Sequence, residues 1–231
     1  MPGKRGRENY MNLKVLLLGR CQYEKALAIQ YDILEKRQKG ETEDTLIMVE
    51  HPPVITLGRH AEQSNVIVSE EFLNNQGIYL YKTNRGGDVT YHGCGQAVGY
   101  PIINLRDRRM GIKKFVTGIE DTFINLLKKE FNIEAGKDDK HTGVWVGDEK
   151  IVAIGLAVKQ RVTMHGFAFN VNTNLDHFKL IVPCGIADKS VTSLKKITGD
   201  VVNFDNMNKL TIDYFCKNLG YDSYDVTTVE Q

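Results

Sequence analysis

Residues 85–96 read RGGDVTYHGCGQ, and the interpretation of the whole chain depends on this stretch. It places four glycines, an arginine and a histidine between two strand-like segments, residues 77–81 and 97–105. Glycines at this density let the backbone approach a ligand where a Cβ would clash. Neither phosphate-binding pattern, G-x-x-x-x-G-K-[ST] or G-x-G-x-x-G, occurs in it. The stretch predicts a loop and strand edge lining a ligand site, although a glycine-rich hairpin with a structural histidine is favoured from these residues alone.

Length and charge limit the function classes. The 231 residues suffice for one large domain, and we expect residues 1–10 to be a disordered extension of a single domain over residues 11–231. Thirty basic and twenty-nine acidic side chains leave a formal charge of +1, without the basic excess of nucleic-acid or membrane-surface proteins. The apolar run 15–18 is too short for a signal peptide or a bilayer span. We therefore expect a cytoplasmic protein with no nucleic-acid or membrane partner.

The cysteines and histidines do not form a metal-binding pattern. Four cysteines are scattered without a C-x-x-C pair, which fits neither a disulfide scaffold nor a zinc ribbon. His51, His60, His141 and His177 likewise lack the spacing of a metal site. We expect no bound metal and treat each thiol as either a buried small hydrophobe or a nucleophile.

Hydrophobic periodicity predicts an α+β domain. Apolar residues recur every three or four positions over residues 111–131, which is the strongest helix signal, and more weakly over 22–38 and 205–219. Short helices are expected at 69–76, capped by Ser69, and at 176–180. Strands are predicted at 13–18, 45–50, 54–57, 143–146, 151–158 and 163–171. The last three should form an antiparallel meander, in which the unbroken apolar run 151–158 indicates a strand covered on both faces.

A few side chains could carry chemistry. Cys184 lies between a proline and a glycine, so its thiol is expected in an accessible turn. A catalytic cysteine needs a nearby cation or helix N-terminus to lower its pKa, and Lys150, His92 and His165 are candidate partners. A buried packing cysteine and a solvated strand-end lysine remain the commoner roles for such residues. The residues alone thus indicate a glycine-lined pocket with histidine, lysine and cysteine candidates.

At these segments the sequence resembles the lipoyl(octanoyl) transferase family, LipB. The family pattern R-G-G-x-x-T-Y-H-G-P-G-Q matches residues 85–96 except that Cys94 replaces the proline. The other matching blocks are 50–53 (EHPP), 56–59 (TLGR), 143–145 (GVW), 150–155 (KIVAIG), 165–171 (HGFAFNV), 183–186 (PCGI) and 191–194 (VTSL). The resemblance extends from about residue 14 to about residue 219.

The resemblance implies a fold and an activity. The fold would be biotin/lipoate-protein-ligase-like, a mixed β-sheet packed with helices. The activity would be transfer of an octanoyl group from octanoyl-acyl carrier protein to a lysine of lipoyl domains, in 2-oxoacid dehydrogenase E2 subunits and the glycine-cleavage H protein. Carried over by motif, Cys184 would form an acyl-thioester and Lys150 would lower its pKa, with no cofactor. The implied substrate-binding residues are Arg85, Gly86, Gly87, Asp88, Val89, Thr90, Tyr91, His92, Ala153, Ile154, Gly155, His165, Gly166 and Phe167.

One departure and three alternatives accompany this interpretation. Cys94 removes the stiffening proline ring and places a second thiol near the expected site, yet we predict that it is not the nucleophile. The first alternative is an ATP-dependent lipoate or biotin ligase, whose pattern R-R-x-x-G-G-G-x-V-x-H-D is absent. The others are a non-catalytic binding protein on the same fold and a thiol hydrolase.

Overall fold

The computed structural model describes residues 10–182 and 190–229. Within these ranges the strands are β1 (Asn12–Arg20), β2 (Thr45–Glu50), β3 (Val54–Leu57), β4 (Tyr79–Lys82), β5 (Val89–His92), β6 (Gln96–Ile102), β7 (Gly143–Val146), β8 (Glu149–Lys159), β9 (Val162–Asn170), β10 (Ser190–Val191) and β11 (Ser223–Thr228). The α-helices are α1 (Tyr23–Lys39), α2 (Glu70–Asn75), α3 (Ile112–Phe131), α4 (Leu194–Thr198) and α5 (Phe204–Leu219). Short 3-10 helices cover Gln63–Asn65 and Leu175–Leu180.

The strands form a large mixed sheet and a small one. The large sheet has the order β10-β8-β9-β6-β2-β1-β11, with β7 also paired to β8. Parallel pairs join β1 to β2 and β11, whereas the β7-β8-β9 meander is antiparallel, as the sequence predicts. The small sheet has the order β4-β3-β5. Mixed sheets packed with helices confirm the predicted α+β class.

Helices cover both faces of the large sheet. Along β2, Leu46 and Met48 point to the cluster built by α3 and α5, while Ile47 and Val49 point to the cluster under α1. This alternation follows from the two-residue period of a strand. The small sheet has its own apolar cluster with Leu73 of α2 and Phe178 of the second 3-10 helix.

Helix ends follow local sequence signals. Gly40 ends α1 in the left-handed conformation, with φ of 75°. The Ser69 side chain accepts a hydrogen bond from the Phe72 N–H and so caps α2 as predicted. Asn203 caps α5 in the same way, and the helix begins at Phe204, one residue before the predicted start.

Two predictions about the strands need correction. Residues 151–158 were expected to be covered on both faces, but residues 153–156 are only half-buried because they line a cavity. The strand predicted over 97–105 ends at Ile102. The sequence also gave no indication of β11 or α4, which lie towards the C-terminus. Among the described residues no helix has the length and apolar character needed to cross a membrane.

Candidate active site

A cavity of about 410 Å³ lies between the large sheet and the glycine-rich segment. Most of the predicted site residues line it, namely Arg85, Gly86, Gly87, Asp88, Val89, Thr90, His92, Lys150, Ala153, Ile154, Gly155, His165, Gly166 and Phe167. Sequence reasoning missed other lining residues, among them Tyr23, Gln96, Tyr100, His141, Asn170, Phe178 and Val191. Cys184, with residues 183–189, lies outside the described residues.

The glycine-rich segment docks on the edge of β8 that β7 leaves open. The β7–β8 pairing ends at Ala153. Beyond it, the Gly86 N–H donates a 3.0 Å hydrogen bond to the Leu156 carbonyl. A Cβ on Gly86 would lie 2.9 Å from that oxygen, so glycine is needed for this approach. The segment therefore forms one wall of the cavity through backbone contact.

Arg85 is buried in this wall, with 8% of its surface exposed. Its Nε donates to Thr56 Oγ1 at 3.0 Å and its Nη2 donates to the Thr56 carbonyl at 2.7 Å. Nη1 donates to the Gly86 carbonyl at 3.1 Å. The guanidinium thus joins β3 to the glycine segment and places a positive charge beside the cavity.

His92 is a neutral group in the cavity floor. Burial, the neighbouring His51 and Arg85 lower its pKa to about 3. Its Nδ1 lies 2.8 Å from Gln96 Oε1, while Gln96 Nε2 donates to Asn170 Oδ1 at 2.9 Å. Gln96 therefore presents its oxygen to the ring, and His92 carries its proton on Nδ1. Its ring stacks on Tyr23 at 6.2 Å between centroids.

His51 supports this floor from below. Its Nε2 lies 2.8 Å from the Tyr100 hydroxyl and its Nδ1 lies 2.6 Å from the Cys21 carbonyl. Because a carbonyl only accepts, the proton is on Nδ1 and the Tyr100 hydroxyl donates to Nε2. Burial lowers the His51 pKa to about 4.

His165 is also neutral, and its backbone is unusual. Burial and the positive charges of Arg85, Lys159 and Arg59 lower its pKa to about 3. Its φ of 57° lies in the left-handed region, which a residue with a Cβ seldom adopts. Such outliers concentrate at functional sites, where the surroundings hold them in place.

Tyr91 is the one described residue of the predicted set that does not line the cavity. Side chains alternate along β5, so Tyr91 points away from the side to which Thr90 and His92 point. Its ring packs edge-on against Phe178 at 5.4 Å, and its hydroxyl lies 2.7 Å from His177 Nδ1. Burial raises the Tyr91 pKa.

Lys150 occupies the end of the cavity where three strands meet. It pairs with Trp145 of β7 on one side and with Val191 of β10 on the other. The Thr192 N–H donates to its carbonyl at 3.0 Å. Its Nζ lies 4.7 Å from the centroid of the Trp145 ring, within range of a cation–π contact. Lys150 is therefore held by its neighbours and is not a freely solvated strand-end lysine.

The other cysteines lie away from the cavity walls. Cys94, at the position of the family's proline, is exposed, and Arg20 Nη2 lies 2.7 Å from its sulfur. Cys21 and Cys216 are buried, and burial with the nearby Asp213 raises the Cys216 pKa to about 12. None of these three thiols lines the cavity.

Comparisons with known proteins identify the family. The model of the lipoyl protein ligase A/B catalytic domain matches residues 22–216. The octanoyltransferase of Alkaliphilus metalliredigens is 57% identical over 220 residues, which are 95% of this chain and 100% of that protein. Among solved structures, lipoate-protein ligase A bound with ATP aligns with a TM-score of 0.76 at 19% identity, over 96% of this chain and 90% of the other. The biotin protein ligase of Aquifex aeolicus aligns with a TM-score of 0.51 at 12% identity, over 91% and 70%.

The two structural likenesses confirm the predicted biotin/lipoate-ligase-like fold, and at these identities they carry no information on activity. The sequence relationship is far closer, and the family model matches most of the chain. The chain belongs to the LipB octanoyltransferase family, and it is an acyltransferase of lipoate metabolism.

Proposed function

We propose that this enzyme moves an octanoyl group from octanoyl-acyl carrier protein to a lysine of a lipoyl domain, through a thioester on Cys184. The observation that carries the proposal is the shared cavity of Lys150 and the apolar middle of β8. Its volume of about 410 Å³ lies within the range of about 300–1,000 Å³ common for small-molecule sites. Ile154, Leu156 and Phe167 supply apolar wall for an eight-carbon chain.

The position of Lys150 fits a role beside the nucleophile. One described residue on each side of the segment that carries Cys184 lines the cavity: Phe178 before it and Val191 after it. Val191 is paired directly with Lys150. An ammonium group close to a thiol favours the thiolate, which is the nucleophilic form.

In the first step, the Cys184 thiolate attacks the carbonyl carbon of the donor thioester. A new C–S bond forms, the bond to the donor sulfur breaks, and the leaving thiolate takes a proton from the Lys150 ammonium. Exchange between two thioesters is nearly balanced in energy, because the donor is already activated. The reaction therefore needs no ATP.

In the second step, the amine of the acceptor lysine attacks the Cys184 thioester. The amide C–N bond forms, the C–S bond breaks, and Cys184 leaves as a thiolate. Lys150, now neutral, takes the proton that the amine loses, which restores the starting pair. Backbone N–H groups of the glycine-rich segment are available to stabilise the oxyanion that develops in each step.

The polar rings of the cavity suit binding more than proton transfer. His92 and His165 have pKa values lowered to about 3, so both are neutral at physiological pH. A group whose pKa lies this far below the working pH is a poor general base. We infer that these rings bind and orient the acyl donor, while Lys150 donates and accepts the protons.

The acceptors we propose are the lipoyl domains of 2-oxoacid dehydrogenase E2 subunits and the glycine-cleavage H protein. In support, the relative from Alkaliphilus metalliredigens is named an octanoyltransferase, and the matching family model is named for lipoyl protein ligases. The reaction uses soluble substrates, and we place it in the cytoplasm.

The alternative hypothesis is an ATP-dependent ligase that activates free octanoate. A transfer assay separates the two. The purified chain is mixed with a lipoyl domain and either octanoyl-acyl carrier protein or octanoate with ATP and Mg²⁺. Octanoylation of the domain only from the carrier protein supports the transferase, and modification from octanoate with ATP overturns it. Release of free octanoate without an acceptor would instead indicate a thiol hydrolase.

A further inference from the structure

One buried amide of helix α1, Gln30, contacts the backbone of the cavity residue His165. The buried positions of α1 recur every three or four residues and are otherwise occupied by apolar or aromatic side chains: Tyr23, Ala26, Leu27, Ile33 and Leu34. Gln30 stands in the same stripe with 0% of its surface exposed. Its Oε1 accepts a 2.9 Å hydrogen bond from the backbone N–H of His165. Burying an amide in an apolar stripe is unfavourable, and here only Oε1 is paired, since Gln30 Nε2 is buried without a hydrogen-bond partner among the described residues. An amide kept at this cost indicates a specific use of its oxygen.

The Gln30 contact falls on the strained residue of the cavity wall. His165 has φ of 57° between two strand residues, Met164 and Gly166, and is 1% exposed. A left-handed residue in a strand turns its side chain out of the regular alternation. The pairing of β9 with β6 ends at Phe167, and the His165 N–H donates instead to Gln30 Oε1, a contact that we infer holds this conformation.

Asn84 fixes the other end of the same ring. His165 Nε2 lies 2.7 Å from Asn84 Oδ1, and Asn84 Nδ2 donates to the Tyr31 hydroxyl at 3.3 Å. Because the Asn84 nitrogen is used on Tyr31, its oxygen accepts from His165, which places the ring proton on Nε2. Asn84 immediately precedes Arg85, so the contact also ties the glycine-rich segment to β9.

The charges around His165 oppose a positive ring. The charged groups that lower its pKa are Arg85 from the glycine segment, Lys159 from β8 and Arg59 from the loop after β3, and all three are cationic. Gln30, Tyr31 and Asn84 are uncharged. A neutral ring whose Nε2 proton is already bonded offers the cavity neither charge nor a free N–H donor. Its Nδ1 is a buried acceptor without a hydrogen-bond partner among the described residues, and the rest of the ring is an uncharged surface. An apolar acyl chain packs against an uncharged ring at less cost than against an imidazolium.

We propose that Gln30 and Asn84 are positioning residues, which together hold His165 as an uncharged, Nε2-protonated wall of the acyl-binding cavity. The acyl chain as ligand rests on the proposed octanoyl transfer. The placement of the ring proton does not depend on it, so the two can fail separately.

The test combines ring nitrogen NMR with kinetics. In the wild type, ¹⁵N-histidine spectra should show His165 as the Nε2–H tautomer at pH 7. Asn84→Asp keeps the oxygen acceptor but adds a negative charge, so we expect it to raise the His165 pKa by more than one unit. The pH below which KM for octanoyl-acyl carrier protein rises should shift upwards by the same amount, while kcat changes less. An Nδ1–H or positively charged His165 in the wild type would overturn the inference, even if the transferase activity were confirmed.

Gln30→Met tests the hydrogen bond between α1 and the His165 backbone, with Gln38→Met as its matched control. Gln38 lies on the same helix, and its Nε2 donates to a backbone carbonyl of β8, that of Lys159, at 3.0 Å. We expect Gln30→Met to raise KM for the octanoyl donor at least fivefold, with little change for Gln38→Met. In a His165→Gly background, which adopts the left-handed conformation freely, Gln30→Met should add no further loss. Equal losses in Gln30→Met and Gln38→Met, or losses that multiply in the double variant, would contradict the proposal. Were Gln30→Met not to fold, the Asn84→Asp spectra and kinetics would still decide.

Discussion

The backbone N–H of Gly86 and the carbonyl oxygen of Leu156 are 3.0 Å apart, and this hydrogen bond joins the glycine-rich segment to the open edge of β8. The cavity therefore lies between two segments that are 70 residues apart in the chain. The glycine-rich segment forms one wall and the apolar middle of β8 forms the other. The carbonyl of Gly86 is equally close-packed, since a Cβ on Gly155 would lie 2.9 Å from it. Both glycines are thus required by the approach of the two backbones.

Gly86→Ala should therefore damage both stability and activity. Its Cβ would press on the Leu156 carbonyl, which cannot move without disturbing β8. We expect a loss of about 1–3 kcal/mol in the free energy of unfolding, as for other overpacked sites. Urea unfolding measures it. Gly111→Ala is the control, because a Cβ there meets nothing within 4 Å and its replacement at a helix cap costs less than about 1 kcal/mol. Equal losses in the two variants would refute the packing argument.

Replacing Lys150 should lower kcat strongly and change the free energy of unfolding little. We expect Lys150→Met to lower kcat for octanoyl transfer by about 10²–10⁴-fold, the usual range for a positioned acid or base. The control is Lys159→Met, which removes a similar cation–π contact at the far end of β8, where Nζ lies 4.6 Å from the Tyr31 ring centroid. Steady-state kinetics compares the two. A Lys150→Met enzyme as active as Lys159→Met would exclude a role in proton transfer.

The buried histidines predict loss of stability in acid. His51, His92 and His165 have folded pKa values of about 4, 3 and 3, against about 6.5 in the unfolded chain. Between pH 6.5 and the folded values, the unfolded state binds protons that the folded state does not, so stability is full above pH 6.5 and falls as the pH falls. The slope is at most about 1.4 kcal/mol per pH unit for each histidine.

Unfolding in urea at pH 7.5, 6.0 and 5.0 checks this slope. His92→Gln keeps a polar side chain beside Gln96 and removes one titrating group, so it should lower the slope by about one histidine's share. Stability that stays constant from pH 7.5 to 5.0 would show that these rings are not buried in the neutral form.

Phe167 is expected to limit the length of the bound acyl chain. Its ring lines the cavity, is 2% exposed and packs edge-on against Phe123 at 4.9 Å between centroids. Phe167→Leu should open space for a longer chain and raise the ratio of kcat/KM for decanoyl over octanoyl donors. Two buried methylenes are worth up to about 1.6 kcal/mol, or roughly tenfold. Phe115→Leu is the control, since Phe115 belongs to the same apolar cluster without lining the cavity. An unchanged ratio in Phe167→Leu would place the end of the acyl chain elsewhere.

Regular periodicity made much of the fold predictable. The strands at residues 45–50 and 54–57 were predicted with their observed bounds, and the helix at 111–131 began one residue too early. In contrast, β11 reads SYDVTT, and its polar, exposed residues lack the pattern of a buried strand. It forms because its backbone pairs with β1, a long-range contact that no local signal records.

The site was predicted in outline because the family resemblance lies in short contiguous blocks, among them residues 85–96, 150–155 and 165–171. A contiguous motif does not show which face of a strand each side chain points to. For this reason Tyr91 is grouped with Thr90 and His92 in the prediction, although its side chain points away from the cavity. The left-handed φ of His165 cannot be predicted from the sequence. Gln30 is visible there as a glutamine in the apolar stripe of α1, but its hydrogen-bond partner, His165, lies 135 residues away in the chain.

The nucleophile is the central claim, and intact-mass analysis tests it most directly. The enzyme is mixed with octanoyl-acyl carrier protein without an acceptor, and the mass adduct is located by peptide mapping. We predict one octanoyl group on Cys184 that passes to an added lipoyl domain, present in Cys94→Ala and absent in Cys184→Ala. An adduct that persists in Cys184→Ala, or transfer to the lipoyl domain by that variant at the wild-type rate, would contradict the account.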